Sequence, residues 1–289
     1  MKKIQWFPGH MTKALREMEE NIKKVDLVIY VLDSRAPKSC LNPKFNEIIG
    51  AKPIIFVLNK TDLADEVQVK KWAEKLSGPN IEVVPLVSTV NSGTKVIISA
   101  MQKLLAPKLE RNKLKGITMP LRAMVIGVPN CGKSTLINSL CGKYKALTGD
   151  KPSVTKATQW VKVAGGIELL DTPGTLWPAF ENDELAHNLA YINAIKADVL
   201  DITSLALDFI EFLLANYPEQ FFARYGLAYN NSFEPINYYE ALCENRGFLL
   251  RGGEIDWERG AKALFDDFRR GRIGKIMLDK LGESDETAK

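Results

Sequence analysis

A glycine-rich stretch at residues 127–134, with the letters G-V-P-N-C-G-K-S, has the residue types and spacing of a phosphate-binding loop. The backbone N–H groups of such a loop and the positive end of the following helix form a concave site for a polyphosphate. Lys133 would reach the β- and γ-phosphates, and the Ser134 hydroxyl would ligate Mg²⁺. An apolar run at 123–126 predicts a strand before the loop, and residues 135–140 predict a helix after it, as this motif requires.

A second phosphate-site element is indicated by D-T-P-G at residues 171–174, which directly follows a short apolar run at 167–170. Asp171 would lie near Mg²⁺, usually through a water molecule, and the N–H group of Gly174 could approach a γ-phosphate. Four residues alone are a weak signal. Their position downstream of a phosphate-binding loop makes the signal strong.

The letters N-K-T-D at residues 59–62 indicate which base is bound. A carboxylate at Asp62 can accept from the N1–H and the 2-amino group of guanine, whereas adenine has neither donor, and a buried carboxylate without a partner is costly. Lys60 can lay its aliphatic stem along the purine face, and Asn59 can brace the neighbouring loops. Residues 88–90 would complete the pocket through backbone donors. The sequence therefore predicts a guanine nucleotide.

The remaining pattern predicts an α/β protein, with a parallel sheet covered by helices on both faces and a small all-α domain after it. Apolar runs at 25–32, 53–58, 81–87 and 158–163 read as further strands. The charged stretch 107–116 reads as a solvated connector. From about residue 198, helical spacing at 202–214 and 257–268, with Asp256 as a possible N-cap, replaces the strand pattern. We expect domains at 1–197 and 198–289.

Composition is compatible with a nucleic-acid partner but does not require one, since 289 residues carry a net charge of +4 with a pI near 8.7. The four cysteines form no C-x-x-C pair, which argues against a zinc site or a disulfide framework. There is no apolar run long enough for a membrane span, and the N-terminal residues lack the apolar core of a signal peptide. A cytoplasmic protein without a membrane partner is expected.

The order of the motifs is unusual, because the base-binding element comes before the phosphate loop, whereas in a Ras-like GTPase it comes last. A circular permutation explains this order without altering the site. Together with W-F-P-G-H-M at 6–11, P-S-V-T at 152–155 and D-T-P-G-T-L-W-P at 171–178, it closely resembles the circularly permuted ribosome biogenesis GTPase A family over essentially the whole chain.

The resemblance implies hydrolysis of GTP during late maturation of the large (50S) ribosomal subunit, with binding of the subunit and its ribosomal RNA that depends on the nucleotide. It also implies that His10 takes part in catalysis, that Thr155 contacts Mg²⁺ and the γ-phosphate, and that Asn130 helps to hold a K⁺ ion. Two positions depart from the family pattern. Ser153 replaces a frequent glycine, and Thr175 is polar where the family typically has a hydrophobic residue in place of the usual catalytic glutamine.

The predicted site residues fall into three groups by role. The catalytic residues are His10, Lys133, Thr155 and Gly174. The metal ligands are Ser134, Thr155 and Asp171 for Mg²⁺, with Asn130 for K⁺. The nucleotide-binding residues are Asn59, Lys60, Asp62, Ser88, Thr89, Asn130, Cys131, Gly132, Lys133, Ser134, Thr135 and Gly174.

Two other functions stay open from the sequence. The first is a phosphate-loop transferase or ATP-using enzyme, against which Asp62 argues. The second is an RNA-binding assembly factor, monomeric off the ribosome, whose bound GTP or GDP only sets affinity. Its RNA contacts would come from connector lysines and from the basic end of the helical domain, which comprises Arg269, Arg270, Arg272 and Lys275. A lone histidine such as His10 is also more often a surface or core residue than a catalyst.

Overall fold

A computed structural model describes residues 9–90, 93–117, 119–142, 158–163, 166–177, 183–195 and 201–282. Contacts divide these residues into two compact units. The first unit runs to Ala194 and takes up the chain again from Met277, and the second unit comprises Ile195–Ile276.

The first unit is built on a six-stranded sheet with the order β3-β2-β1-β4-β6-β5. The strands are β1 Leu27–Asp33, β2 Ile54–Asn59, β3 Ile81–Leu86, β4 Leu121–Ile126, β5 Gln159–Val163 and β6 Ile167–Asp171. All neighbouring pairs are parallel except β5 with β6. Every residue of β1 is buried, as expected for a central strand covered on both faces. The predicted α/β class and the predicted strands are confirmed.

Helices accompany this sheet. They are α1 Gly9–Asn21, α2 Pro37–Cys40, α3 Pro43–Ile49, α4 Glu66–Leu76, α5 Gly93–Leu104, α6 Ala106–Leu114, α7 Lys133–Cys141 and α8 Asp183–Tyr191. Local sequence fixes several of their ends. Asn42 and Asp65, for example, accept from the backbone N–H groups of the first turns of α3 and α4. None of the helices in the described ranges is long and apolar enough to cross a bilayer.

The predicted connector at 107–116 is wrong, because most of it forms helix α6. Pro107 occupies the first turn, where its missing N–H group is no loss, and the following residues favour a helix. No residue of α6 is buried, so the helix lacks the apolar stripe that sequence reading depends on. Lys108 of this helix pairs with Asp26, while Arg111 and Lys113 are exposed.

The topology determines where a ligand can bind. The chain proceeds outward from β1 through β2 to β3, and then returns to place β4 on the other side of β1. The strand order therefore reverses between β1 and β4. In open α/β sheets, ligands bind outside the carboxyl ends of the strands at such a switch point. The phosphate loop follows β4 at this position.

The C-terminal segment, residues 277–281, was predicted to belong to the helical domain but packs in the first unit. Leu278 donates its backbone N–H to Arg35 O at 2.7 Å. The buried carboxylate of Asp279 accepts from Ser39 N at 2.7 Å, from Ser39 Oγ at 2.9 Å and from Asn188 Nδ2 at 3.0 Å. These contacts join residues far apart in sequence, which local patterns do not reveal.

The second unit consists of α9 Ile202–Asn216, α10 Pro218–Tyr225, α11 Pro235–Asn245 and α12 Trp257–Arg269. Two of these helices match the predicted ones, and Asp256 caps α12 by accepting from Arg259 N at 3.0 Å. Phe209 of α9 packs against Phe265 and Phe268 of α12, with ring centroids 5.8 and 5.0 Å apart. Apolar and aromatic burial between helices therefore stabilises this unit.

Replacement of Asp279 by alanine is expected to destabilise the first unit. Two donors of Ser39 and one of Asn188 would lose their acceptor in a buried place, which costs roughly 2–4 kcal/mol in the free energy of unfolding. Urea unfolding followed by tryptophan fluorescence measures this change. Glu47→Ala is the control, because Glu47 lies at an exposed position where it pairs with Lys44, and it should behave almost like the wild type. An equal effect of both substitutions would contradict the structural role of Asp279.

Candidate nucleotide-binding site

The carboxyl edge of the sheet gathers the loops that the sequence singled out. Asn59 ends β2, Ser88 follows β3, and Asp171 ends β6, while residues 127–134 connect β4 to α7. These strands are parallel, so their carboxyl ends lie along the same edge. The register confirms this placement, since Val125 at the end of β4 is the partner of Asp171.

The phosphate loop needs its two glycines for steric reasons. Gly127 and Gly132 adopt φ angles of 150° and 102°, which L-residues rarely adopt. A Cβ atom on Gly127 would collide with Val31 O, and one on Gly132 would collide with the side-chain amide of Asn59. Asn130 adopts the left-handed conformation without being glycine, with φ 58°. Asparagine is among the few residues that tolerate this conformation.

Lys133 begins helix α7 and is buried. Its ammonium group donates to the backbone carbonyls of Val128 at 2.9 Å and Gly127 at 3.1 Å, so it lies inside the curve of the loop. Ser134 and Thr135 follow it in the first turn of the helix, where backbone N–H groups have no helical acceptor. The loop, the helix start and the buried ammonium together favour an anionic ligand.

The side-chain amide of Asn59 holds three loops together. Its Nδ2 donates to Cys131 O of the phosphate loop at 2.8 Å. Its Oδ1 accepts from Ser88 N at 3.0 Å and from Ser88 Oγ at 2.8 Å. The predicted bracing contacts are therefore present, whereas the role of Asn59 in binding a nucleotide stays a prediction.

Cys131, to which the sequence assigned no role beyond nucleotide binding, contributes mainly through its backbone carbonyl, the acceptor for Asn59. Its thiol is fully buried, and this burial raises the pKa of the thiol, although Lys133 opposes the shift. A raised pKa keeps the sulfur protonated and unreactive. Cys131 therefore fills space in the loop rather than supplying a nucleophile.

The other base-pocket residues lie beside this brace. Lys60 adopts φ 62°, and its ammonium donates to Asn130 O at 2.8 Å, so the lysine side chain reaches the phosphate loop. Asp62 lies exposed in a short 3-10 turn, Thr61–Leu63, and Thr89 is exposed after β3. The exposed carboxylate of Asp62 is accessible to a ligand.

A buried ionic group at this edge was not predicted. Asp33, the last residue of β1, accepts from Arg35 Nε at 2.9 Å, from Arg35 Nη2 at 2.8 Å and from Lys60 Nζ at 2.9 Å. We call Asp33, Arg35 and Lys60 the Asp33 cluster. Burial alone would raise the pKa of Asp33, but Arg35 and Lys60 outweigh burial and hold the pKa well below its usual range. Asp33 is therefore ionised at neutral pH.

The position of Asp33 in the sequence could have indicated that it lies at the site. It ends a buried apolar strand, as Asn59 ends the next strand, and polar residues at the carboxyl ends of parallel strands meet at one edge.

A second contact that the sequence could not reveal joins Asn130 to the turn after α8. Asn130 Nδ2 donates to Asn193 O at 2.7 Å.

The D-T-P-G segment packs against the phosphate loop. Asp171 is fully buried, and Thr172 Oγ1 donates to Val125 O at 2.7 Å. A Cβ atom on Gly174 would lie 2.7 Å from the backbone of Pro129 and 2.9 Å from Lys133 Nζ, so only glycine fits. This close approach places the Gly174 backbone beside the ammonium that the sequence assigns to phosphate binding.

Thr175 is completely buried, and its hydroxyl has no hydrogen-bond partner in the described part of the chain. It thus occupies an enclosed position despite its polarity. A glutamine-like role in orienting water has no support from this placement.

Thr155 and Ser153, which the sequence singled out, lie outside the described residues. His10 falls in the first turn of α1, but its side chain is likewise outside the described part. Within the described ranges, no group of three His, Cys, Asp or Glu side chains is placed to hold a metal ion. Mg²⁺ at nucleotide sites is commonly held by one or two protein ligands together with phosphate oxygens and water.

The basic end of the helical unit is partly paired within that unit. Arg270 Nε lies 2.7 Å from Asp266, and Arg272 Nη1 lies 2.9 Å from Asp267. The guanidinium of Arg269 lies 5.5 Å from the ring centroid of Phe265. These contacts reduce the charge that this end presents.

Comparison with known proteins gives a consistent result. A family profile described as "50S ribosome-binding GTPase" matches residues 122–219. Ribosome biogenesis GTPase A of Priestia megaterium is 41% identical over 286 residues, covering 98% of this chain and 99% of that protein. Its counterpart from Thermotoga maritima is 30% identical over 277 residues, covering 96% and 94%. Among solved structures, the GDP-bound TM YlqF has a TM-score of 0.65 and 26% identity, covering 92% of this chain and 99% of that one.

Replacement of Asn59 by alanine should weaken guanine-nucleotide binding. Loss of three short buried hydrogen bonds would release the phosphate loop from the loop after β3, and at about 1 kcal/mol per bond a drop in GDP affinity of at least tenfold is expected. Equilibrium titration with a fluorescent GDP measures the dissociation constant. Asn46→Ala, at an exposed position on α3, is the control. Unchanged affinity in Asn59→Ala would show that the brace does not support the ligand site.

Proposed function

The chain belongs to the ribosome biogenesis GTPase A family and is a GTPase, and we propose that it hydrolyses GTP while assisting late maturation of the large ribosomal subunit. The observation that carries the proposal is the brace of Asn59 between the phosphate loop and the base-pocket loop. It joins, across 72 residues of sequence, the loop that we assign to the base and the loop that we assign to the phosphates.

Guanine selection is assigned to Asp62. Its carboxylate can accept two hydrogen bonds from the edge of guanine, whereas adenine offers no matching donors. Lys60 would lie along the purine face while its ammonium contacts Asn130 O. Ser88 and Thr89 would border the base through their backbone.

The phosphates are assigned to the loop and to Lys133. The ammonium, which donates to two loop carbonyls, would donate to the β- and γ-phosphates when a nucleotide binds, and the N–H groups of Gly132, Ser134 and Thr135 would surround the same oxygens. The N–H group of Gly174 is assigned to the γ-phosphate, because the glycine lies against Pro129 and Lys133. These donors would stabilise the charge that spreads over the transferring phosphoryl group.

Mg²⁺ fits the donors present at this edge. The Ser134 hydroxyl and the Asp171 carboxylate are hard oxygen ligands of the kind that Mg²⁺ prefers, and Thr155 would add a third oxygen. When bound, Mg²⁺ neutralises charge on the β- and γ-phosphates. Asp171 would act through a water molecule.

A monovalent cation, K⁺, is assigned to Asn130. The nitrogen of its amide donates to Asn193 O, so the oxygen is the end of the amide that can bind a cation.

We assign positioning or deprotonation of the attacking water to His10. The place of the usual glutamine holds Thr175, and its burial leaves it unsuited to that task. We expect turnover by the isolated protein to be slow and large ribosomal subunits to accelerate the turnover that depends on His10.

Ribosomal RNA is the proposed partner in the subunit, and the protein is proposed to be a monomer off the ribosome. The unburied surface of α6, with Arg111 and Lys113, offers cations on the first unit. Lys275 and the partly paired Arg269, Arg270 and Arg272 offer them on the second. Contacts of this kind to phosphates weaken as salt is raised.

Binding to the large subunit should depend on the nucleotide. We expect cosedimentation with purified large subunits in the presence of a non-hydrolysable GTP analogue to exceed that with GDP by about tenfold or more, a difference of about 1.4 kcal/mol. Small subunits serve as the control particle. Equal pelleting with both nucleotides, or with both subunits, would contradict the proposal.

The His10→Ala substitution should slow GTP turnover on the ribosome. Loss of a general base or water-positioning group commonly costs about 10²–10⁴-fold in rate. Phosphate release is measured with and without large subunits, and His187→Ala, on α8, is the histidine control. Identical turnover by wild type and His10→Ala under both conditions would remove His10 from the mechanism. It would also favour the alternative in which bound nucleotide only sets affinity.

A further inference from the structure

The Asp33 cluster lies where the loops after β1 and β2 meet the phosphate loop. Asp33 and Asn59 are register partners at the ends of adjacent strands, and Ser34 N donates to Asn59 O at 2.8 Å. The two loops therefore leave the sheet side by side. Any side chain at the end of β1 can contact the base-pocket loop without a long reach.

The hydrogen bonds within the cluster all have the Asp33 carboxylate as their acceptor. Arg35 donates to both oxygens of the Asp33 carboxylate, from its backbone N–H at 3.1 Å and Nε at 2.9 Å to Oδ1, and from Nη2 at 2.8 Å to Oδ2. The remaining strong contact goes to Lys60 Nζ at 2.9 Å. Arg35 is 1% exposed and Asp33 is fully buried, so the carboxylate has a fixed orientation. A fixed acceptor in turn fixes the ammonium that it binds.

The ammonium of Lys60 has a second acceptor, Asn130 O at 2.8 Å. One charged group thus joins the end of β1 to the phosphate loop at the residue whose backbone is left-handed. A lysine stem is long and flexible, and it loses rotamer entropy when it is fixed. Two short charge-assisted hydrogen bonds at its end offset that cost before a nucleotide binds.

We propose that Asp33, held by Arg35, is a positioning residue for guanine nucleotides, which acts by pre-orienting Lys60 over the purine face and against the phosphate loop. The proposal rests on the guanine site proposed above and adds a determinant that lies outside its motifs. Asp33 does not touch the nucleotide in this scheme. Its effect on affinity must therefore pass through the ammonium of Lys60.

A double-mutant cycle with Asp33→Asn and Lys60→Met tests this dependence. Lys60→Met retains an aliphatic stem for the purine face and removes only the ammonium. The dissociation constant for GDP is measured by titration, and thermal unfolding of each nucleotide-free variant reports on its fold. We expect Asp33→Asn to weaken GDP binding by about 10-fold or more in the wild-type background, since hydrogen bonds between charged groups are stronger than neutral ones. In the Lys60→Met background it should change affinity by less than about 3-fold.

The matched control is Asp26→Asn. Asp26 also pairs with a lysine, Lys108, and accepts from a backbone N–H, that of Arg122, but it precedes β1 at the opposite end of the strand. Its substitution should lower stability while leaving the affinity for GDP unchanged. If Asp33→Asn does not fold, Asp33→Asn with Arg35→Met replaces it in the cycle, because no unpaired guanidinium then stays buried.

The outcomes separate the two proposals. If Lys60→Met binds GDP as tightly as the wild type, both the assigned role of Lys60 and the inference about Asp33 fail. If Lys60→Met weakens binding but Asp33→Asn does not, or if the two losses multiply, the inference about Asp33 fails while the guanine site stands. A clear loss in Asp33→Asn that disappears in the Lys60→Met background supports the inference.

Discussion

The side-chain amide of Asn59 is the contact on which the arrangement of the candidate site depends. A parallel sheet brings the ends of its strands to one edge, but it does not fix the loops that follow them. One buried amide, with its nitrogen on Cys131 O and its oxygen on Ser88, fixes two of these loops relative to a third. Gly132 must lack a side chain because this amide occupies the space. The glycine of the phosphate motif and the asparagine of the base motif therefore constrain each other sterically.

Much of this architecture could be predicted, because the features responsible for it are local. Apolar runs are continuous in strands that are covered on both faces, so the sequence predicted the strands. The phosphate loop was predicted from its motif, in which Gly127 and Gly132 adopt φ angles that favour glycine. The N-cap Asp256 of α12 is equally local. Asn59 was predicted to brace the neighbouring loops as the first residue of the N-K-T-D motif, and these contacts are present.

The parts that could not be predicted depend on contacts between distant residues or on elements without an apolar face. Helix α6 has no buried residue, so the periodicity that reveals other helices is missing from it. Asp279 belongs to the first unit through Ser39, 240 residues away, whereas the chain up to Ile276 belongs to the helical unit. Arg35 carries a charge, and its burial becomes favourable only because Asp33 lies beside it at the end of β1. Sequence patterns report propensity and periodicity, and neither encodes such pairs.

The same network also reaches both places where the chain crosses between the compact units. Asn193, just before the chain leaves the first unit, accepts from Asn130 at 2.7 Å, and Leu278, just after it returns, donates to Arg35 O at 2.7 Å. The Asp33 cluster connects these two contacts through Asn130 O. Short hydrogen bonds tolerate little displacement, because their strength falls steeply with poorer geometry. A movement of the phosphate loop at Asn130 must therefore be followed by its neighbours within the first unit or break bonds to them.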